Sequence, residues 1–170
     1  MILSVLRQAT CIIICMLLYI ACNQSRHLVN DHAAKADREY VLDRDLKIEK
    51  LFTTANSLIG KPYGLGSSGP KSFDCSGFTT HIFQSIHLSL PRMASQQARI
   101  GNPVKLPMVQ PGDLLFFGGK NIDHVAMVTK VKADKVFIIH ATSKSGVVKE
   151  VFQDSEYWVK RFKLARRVII

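Results

Sequence analysis

Beyond residue 22 this chain of 170 residues holds a single cysteine, Cys75; the other three, Cys11, Cys15 and Cys22, all fall near the start. If the leading segment is a targeting signal, no disulfide can form inside the domain, and one unpaired cysteine is left in an exported protein. A packed core must then hold the fold, and the 47% hydrophobic share is ample for one. A dense basic run is also missing. The 23 Lys and Arg against 13 Asp and Glu give 23 − 13 = +10. These cations are scattered and not interleaved with aromatics, so they describe a solvated basic surface, with at most a weak attraction to anionic lipid or wall polymers, and no nucleic-acid partner. The stretch Gly60 to Pro70 is rich in glycine but lacks the Gly-Lys-Ser/Thr ending of a phosphate cradle. Close ligand pairs such as Cys-x-x-Cys or His-x-x-x-His are absent as well. A zinc site built from Cys75, His124 and His140 is therefore a weak reading.

Arg7 is the only charge before the apolar run Ile12 to Ile20. That run is too short to cross a bilayer comfortably, which is the layout of a signal peptide over residues 1–21. It closes on Leu18-Tyr19-Ile20-Ala21-Cys22, which resembles the lipobox of bacterial lipoproteins. Cys22 is accordingly the expected lipidation site. The protein is expected in the cell envelope as a membrane-anchored lipoprotein, at the outer membrane of a Gram-negative bacterium; a retained anchor and an ordinary cleaved signal are the alternatives. The polar stretch Asn23 to Asp45 reads as a tether, partly helical, that lets the domain reach away from a membrane. Residues 22–45 thus link the signal to one domain over residues 46–170, expected to be monomeric.

In that domain Ile48, Phe52, Ala55 and Ile59, flanked by Leu51 and Leu58, mark an amphipathic helix over Leu46 to Ile59. Gly60 suits its C′ position and Pro62 stops it. After the glycine-rich loop, Phe78, Ile82 and Ile86 predict a second helix that begins at Cys75 with Asp74 as its N-cap. Cys75 then sits at the positive end of a helix dipole, where a neighbouring imidazolium would lower its pKa to about 3.5–7.5 and make it a nucleophile. Tyr63 in the loop either packs or steadies an oxyanion. Arg92 is either a surface charge or a bidentate partner for a substrate carboxylate. Ser95 can cap a short helix through Ile100 before Gly101. From Val104 onward short apolar runs between turns predict strands, at Asp113 to Phe117, His124 to Val131, Lys135 to His140, Val147 to Phe152 and Phe162 to Ile170.

The hairpin between His124 and His140 allows a geometric inference. With a three-residue turn near Lys132 to Asp134, either Val131 pairs Lys135 or Lys130 pairs Asp134. Both registers put the two imidazoles on one sheet face within mutual reach, since paired residues share a face and the period is two. A turn of two or four residues would break this. Thiol, imidazole and a third polar group to orient it are the parts of a cysteine-protease-like centre. The thiolate of Cys75 would attack a carbonyl, His124 would protonate the leaving amine, and the Cys75 amide, with Tyr63 if it turns inward, would hold the oxyanion.

The ordered set of Gly60-Lys61-Pro62-Tyr63-Gly64, Phe73-Asp74-Cys75-Ser76-Gly77-Phe78, Leu90-Pro91-Arg92 with Gln96, Gln110-Pro111-Gly112-Asp113-Leu114-Leu115-Phe116-Phe117, Asp123-His124-Val125-Ala126, Ile139-His140-Ala141 and Ala165-Arg166-Arg167-Val168 resembles the NlpC-type cell-wall cysteine peptidases. The resemblance runs over Asn56 to Ile170. It implies a papain-like α+β fold, with N-terminal helices packed on a mostly antiparallel sheet. It also implies hydrolysis of amide bonds in peptidoglycan stem peptides, typically next to diaminopimelate. Cys75 would be the nucleophile, His124 the base and His140 the orienting third residue, with Tyr63, Asp74, Ser76 and Arg92 lining the cleft and no cofactor required. The loop Gly64 to Lys71 departs from the family in lacking its usual paired glycine. Two other readings use the same residues: a module of this fold that binds wall peptide without cutting it, and a Cys/His amidase or acyltransferase.

Overall fold

A computed structural model of the chain describes Met16 and residues 34–169. The expected signal segment 1–21 apart from Met16, the lipidation candidate Cys22 and the tether up to residue 33 lie outside the described residues. The chain divides into two units, Met1–Asp43 and Arg44–Ile170. Within the first, residues 34–43 are helical and exposed throughout. The second unit carries the sheet and the helices that pack on it.

Residues 44–57 are helical (α1); Leu51 and Ala55 on it and Leu58 just past its end are buried, with Ile48 and Phe52 partly covered. Ile59, expected on the same stripe, is exposed. The helix has already ended by then, because Gly60 takes a φ of +82° and Pro62 follows. The second helix, α2 (Cys75–Gln84), starts at the expected residue and buries Phe78 and Ile82 completely. A shorter helix follows as α3 (Ala94–Gln97); its N-cap is Met93, and no side chain caps it, contrary to the expectation for Ser95.

Six strands form one sheet in the order β1-β6-β2-β3-β4-β5: β1 (Asn102–Val104), β2 (Leu114–Gly118), β3 (Ile122–Lys132), β4 (Lys135–Thr142), β5 (Gly146–Val151) and β6 (Phe162–Arg167). Every neighbouring pair is antiparallel. Alternation along the strands sends side chains to two separate cores. Leu114, Phe116, Val125, Met127 and Ile139 pack with α1 and α2. Leu115, Phe117, Ala126, Val128 and Ile138 pack on the other side against Phe152 and Trp158. Each large apolar side chain so buried stabilises the fold by about 1.5–3 kcal/mol. The second core is covered in part by a helix that sequence periodicity does not predict, α4 (Glu156–Arg161). Six residues are too few for a helical period to show. Its one local signal is Ser155, whose side chain accepts from the Trp158 amide.

The hairpin register carries two departures that cancel. The turn between β3 and β4 has two residues, Ala133 and Asp134, with Lys132 paired to Lys135 and Val131 to Val136. Taken alone that would move the two histidines to opposite faces. A bulge between Val128 and Lys130 inserts one extra residue, after which Met127 pairs Ile139. Running the ladder one step further sets Ala126 opposite His140 and leaves His124 diagonal to it, which is the first of the two expected registers. Elsewhere the Gln110-Pro111-Gly112-Asp113 turn is tied to β6. The buried Asp113 carboxylate accepts from the Gln110 amide at 2.8 Å and from Arg167 Nε and Nη2 at 2.9 Å each. These motif residues bind strand to strand and lie outside the cleft.

Candidate active site

The site is assembled at the start of α2, with β3, β4 and β5 supplying its second wall. Its loop is fixed from both ends. Gly60 N–H donates to Val147 O and Val147 N–H to Lys61 O at 2.9 Å each, docking the loop on β5. Phe73 N–H donates to Pro62 O and Gly64 N–H to Phe73 O, which sets Tyr63 alongside Phe73, two residues before Cys75. Asp74 is the hub. Its carboxylate accepts from Gly77 N–H at 2.7 Å, as an N-cap should, and from Gly66 N–H at 2.9 Å. The Arg92 guanidinium grips the same carboxylate with both arms, at 3.0 and 2.5 Å, and also donates to Ser76 Oγ at 3.1 Å. The fork of Arg92, a candidate for a substrate carboxylate, is therefore occupied by Asp74. Gly77 lets the loop approach: a Cβ there would lie 2.1 Å from the Ser67 carbonyl oxygen. Alanine, ordinarily the better helix former, is barred at this position.

Burial pushes the Asp74 carboxyl up, but the hydrogen bond from Arg92, the Gly77 amide and the Arg92 charge outweigh it and hold it below the usual aspartate value of 3.8. A carboxylate next to the thiol works against thiolate formation. Burial is the largest influence and pushes the Cys75 pKa up; the Val125 amide opposes it, the Asp74 charge adds to it, and Ser76 opposes it more weakly. The sequence expectation of a depressed thiol pKa is thus reversed in direction. The imidazolium expected beside it is not there at rest either. Burial, the neighbouring His140 and the Arg161 charge press His124 well below 6.5, so the ring is neutral at pH 7.

Cys75 remains open to the cleft although only 7% of it is exposed. Its Sγ lies 3.7 Å from the Asp123 carbonyl oxygen, at the edge of β3. It lines two adjoining cavities of about 690 and 450 Å³, which share Tyr63, Cys75 and Asp123. His124 lines the larger one with Glu150, Trp158 and Lys144, while Asp74, Ser76 and Arg92 line the other. His124 Nε2 and His140 Nδ1 are 2.9 Å apart, and His140 Nε2 is 2.8 Å from Glu150 Oε1. The thiol, the His124 imidazole, Tyr63, Asp74, Ser76 and Arg92 are therefore gathered around the adjoining cavities, with His140 buried behind His124.

Three contributors escape a reading of the sequence alone. Trp158 lies flat against the His124 ring, centroids 4.4 Å apart at 20°. Glu150 reaches His140 diagonally across the β4–β5 pair, in which His140 faces Val148. Gln97, fully buried, donates to Ser76 O at 3.1 Å and Pro91 O at 2.8 Å and accepts from Thr79 Oγ1 at 2.8 Å, which ties Arg92's loop to α2. The alternation of β5 would have put Glu150 on the His140 face had its register been known. No comparable local signal marks Gln97.

An α+β domain with a cysteine opening a helix and a pair of linked histidines on the adjacent sheet is the architecture of papain-like hydrolases. The model of the NlpC/P60 family matches residues 60–167, and the chain belongs to that family. Among curated relatives, a "Probable endopeptidase" of Haemophilus influenzae is 34% identical over 82% of this chain and 86% of the relative. The "Probable endopeptidase NlpC" of Escherichia coli is 33% identical over 81% of this chain and 88% of its own length. A "Gamma-DL-glutamyl hydrolase" of Bacillus subtilis is 31% identical over 75% of this chain, which spans only 32% of that protein. The chain likewise spans 15% of a Listeria grayi relative. Among solved structures, an NlpC/P60 family protein of Bacillus cereus superposes with a TM-score of 0.67 at 28% identity, over 72% of this chain and 40% of that one. The fold is thus the papain-like α+β arrangement that the sequence implied.

Proposed function

We propose that this chain is a cysteine endopeptidase that hydrolyses amide bonds of peptidoglycan stem peptides next to diaminopimelate. One observation carries the reading. The Cys75 thiol lines two adjoining cavities, one of which His124 also lines, so an extended peptide has room on both sides of the atom that would attack it. His124 Nε2 is engaged by His140, which leaves Nδ1 as the ring nitrogen for the thiol proton. As Sγ attacks, a C–S bond forms, the proton passes to His124 and the carbonyl electron pair moves onto oxygen. The Cys75 amide at the start of α2, with the Tyr63 phenol across the shared wall, would hold that charge. His124 then returns the proton to the leaving amine, the C–N bond breaks, and water releases the acyl group. Because thiol and imidazole are both neutral at rest, this is base-assisted attack and does not start from a standing ion pair.

The relative named for γ-DL-glutamyl hydrolysis favours the bond on the D-glutamate side of diaminopimelate. Digestion of defined muropeptides with mass analysis tests the reading. Fragments cut within the stem peptide are expected, whereas an intact stem peptide freed from its sugar would replace the endopeptidase by an amidase.

The N-terminal expectations belong to the same proposal. Cys22 would be lipidated after removal of residues 1–21, with residues 22–45 as a tether that lets the domain reach the wall from an envelope membrane. Labelling with a radioactive fatty acid should mark the wild type and not Cys22→Ser; label retained by the variant would rule the anchor out.

A further inference from the structure

We infer that Glu150 is a positioning residue that selects the tautomers of both histidines and so makes His124 a base; this rests on the hydrolase reading above. Donors and acceptors along the relay fix where each hydrogen sits. Glu150 is a carboxylate. The hydrogen bond from His140 does most to hold its pKa below the ordinary value; burial opposes it, and a hydrogen bond from the Trp158 side chain adds to it. A carboxylate only accepts, so at 2.8 Å the hydrogen must sit on His140 Nε2. When His140 carries a single ring hydrogen, its Nδ1 is bare and can only accept. At 2.9 Å the hydrogen between the rings must therefore sit on His124 Nε2. Neutral His124 is left with its lone pair on Nδ1, the nitrogen not used by His140. With one ring hydrogen on each imidazole the three groups admit this one assignment, and it ends in a proton acceptor on the ring that lines the cleft.

Two packing facts support the placement. Glu150 stands on the same sheet face as His140, and its carboxylate is in addition tied to Trp158, whose ring stacks on His124. One carboxylate thus fixes the second imidazole directly and the first through the indole. When His124 takes the thiol proton, the positive charge on the linked rings is stabilised by this anion. The other charged and titratable groups facing His124 are Cys75, Tyr63, Asp123, Lys144, Tyr157 and Arg161. Arg161 works against protonation and is itself paired with Asp123 at 2.6–2.7 Å. That leaves Glu150 as the anion directly bonded to the imidazole relay.

The test uses the full chain and two readouts, kcat/KM on a muropeptide and the rate of Cys75 alkylation by iodoacetamide, each across pH. Glu150→Gln keeps the shape and removes the charge. Without the anion His124 is harder to protonate, so the acid limb of both profiles should move to lower pH by about one unit, and the plateau should fall about tenfold because the base is weaker. Glu150→Asp keeps the charge and should leave the limb at the wild-type position. An unmoved limb in Glu150→Gln, an unchanged plateau, or equal displacement in both variants overturns the inference. Alkylation separates the two layers. If the limb shifts there while no peptide is cut even by wild type, the peptidase reading fails and the role of Glu150 stands.

Discussion

Replacing Cys75 by alanine is expected to reduce muropeptide hydrolysis by about ten thousandfold or more without unfolding the domain, as removal of a catalytic nucleophile does. The change deletes one sulfur at the first residue of α2, where Asp74 still caps the helix through Gly77. Phe78 and Ile82, the anchors of that helix, are untouched. The loss of stability should accordingly stay near 1 kcal/mol. Serine is expected to be nearly as inactive. Its hydroxyl is a far weaker acid than a thiol, and burial has already pressed His124 below its ordinary basicity. Calorimetry on the alanine variant should still show muropeptide binding, since both cavities keep their other walls. Cleavage by Cys75→Ala at the wild-type rate would remove the thiol from the mechanism. Binding without cleavage in the wild type would favour the binding-module reading instead.

The second large effect is expected at Asp74. Four groups converge on its carboxylate: the amides of Gly66 and Gly77, the Ser76 hydroxyl and the Arg92 guanidinium. Asp74→Ala removes a helix cap, worth about 1 kcal/mol, and leaves the remaining donors without their acceptor, so a total near 3 kcal/mol is expected. For a domain of this size that lowers Tm by about 10 °C in a calorimetric scan. Asp74→Asn keeps an acceptor for the cap but not the charge and should lose less. The sign with pH follows from the depressed native pKa. The charged carboxylate stabilises the fold fully above 3.8, its value in the unfolded chain, and this contribution disappears as pH falls through the lower native value. The Tm difference between wild type and Asp74→Asn should thus be largest near neutrality and close once pH has fallen below the depressed native value. A difference independent of pH would show that the charge at Asp74 does not stabilise the fold.

The start of α2 was legible because its signals are local. A capping acid before a four-residue apolar stripe, preceded by glycine and proline, reads the same in any context, and Cys75 falls where that reading puts it. The histidine pair shares a face for a partly different reason than a three-residue turn. A two-residue turn and a bulge together reproduce the parity that such a turn would give. Neither can be seen in residue types alone, because a bulge depends on how two strands twist together. Arg92 shows the opposite case. Its geometry suits a carboxylate, as expected, but the carboxylate is Asp74, eighteen residues away and brought close by the α3 loop.

By itself the amino-acid order determined the helix that presents Cys75 and the antiparallel succession of strands, since each follows from short-range periodicity and capping, whereas the bulge that keeps His140 and His124 on one face came from strand pairing. Only the folded chain decided the protonation of the site. The thiol is pressed up and the imidazole down by burial, and Glu150 and Trp158 close around the two rings from strands and helices far along the chain. Charge is stabilised or opposed by whatever surrounds it in space, and that surrounding is a property of packing between distant segments.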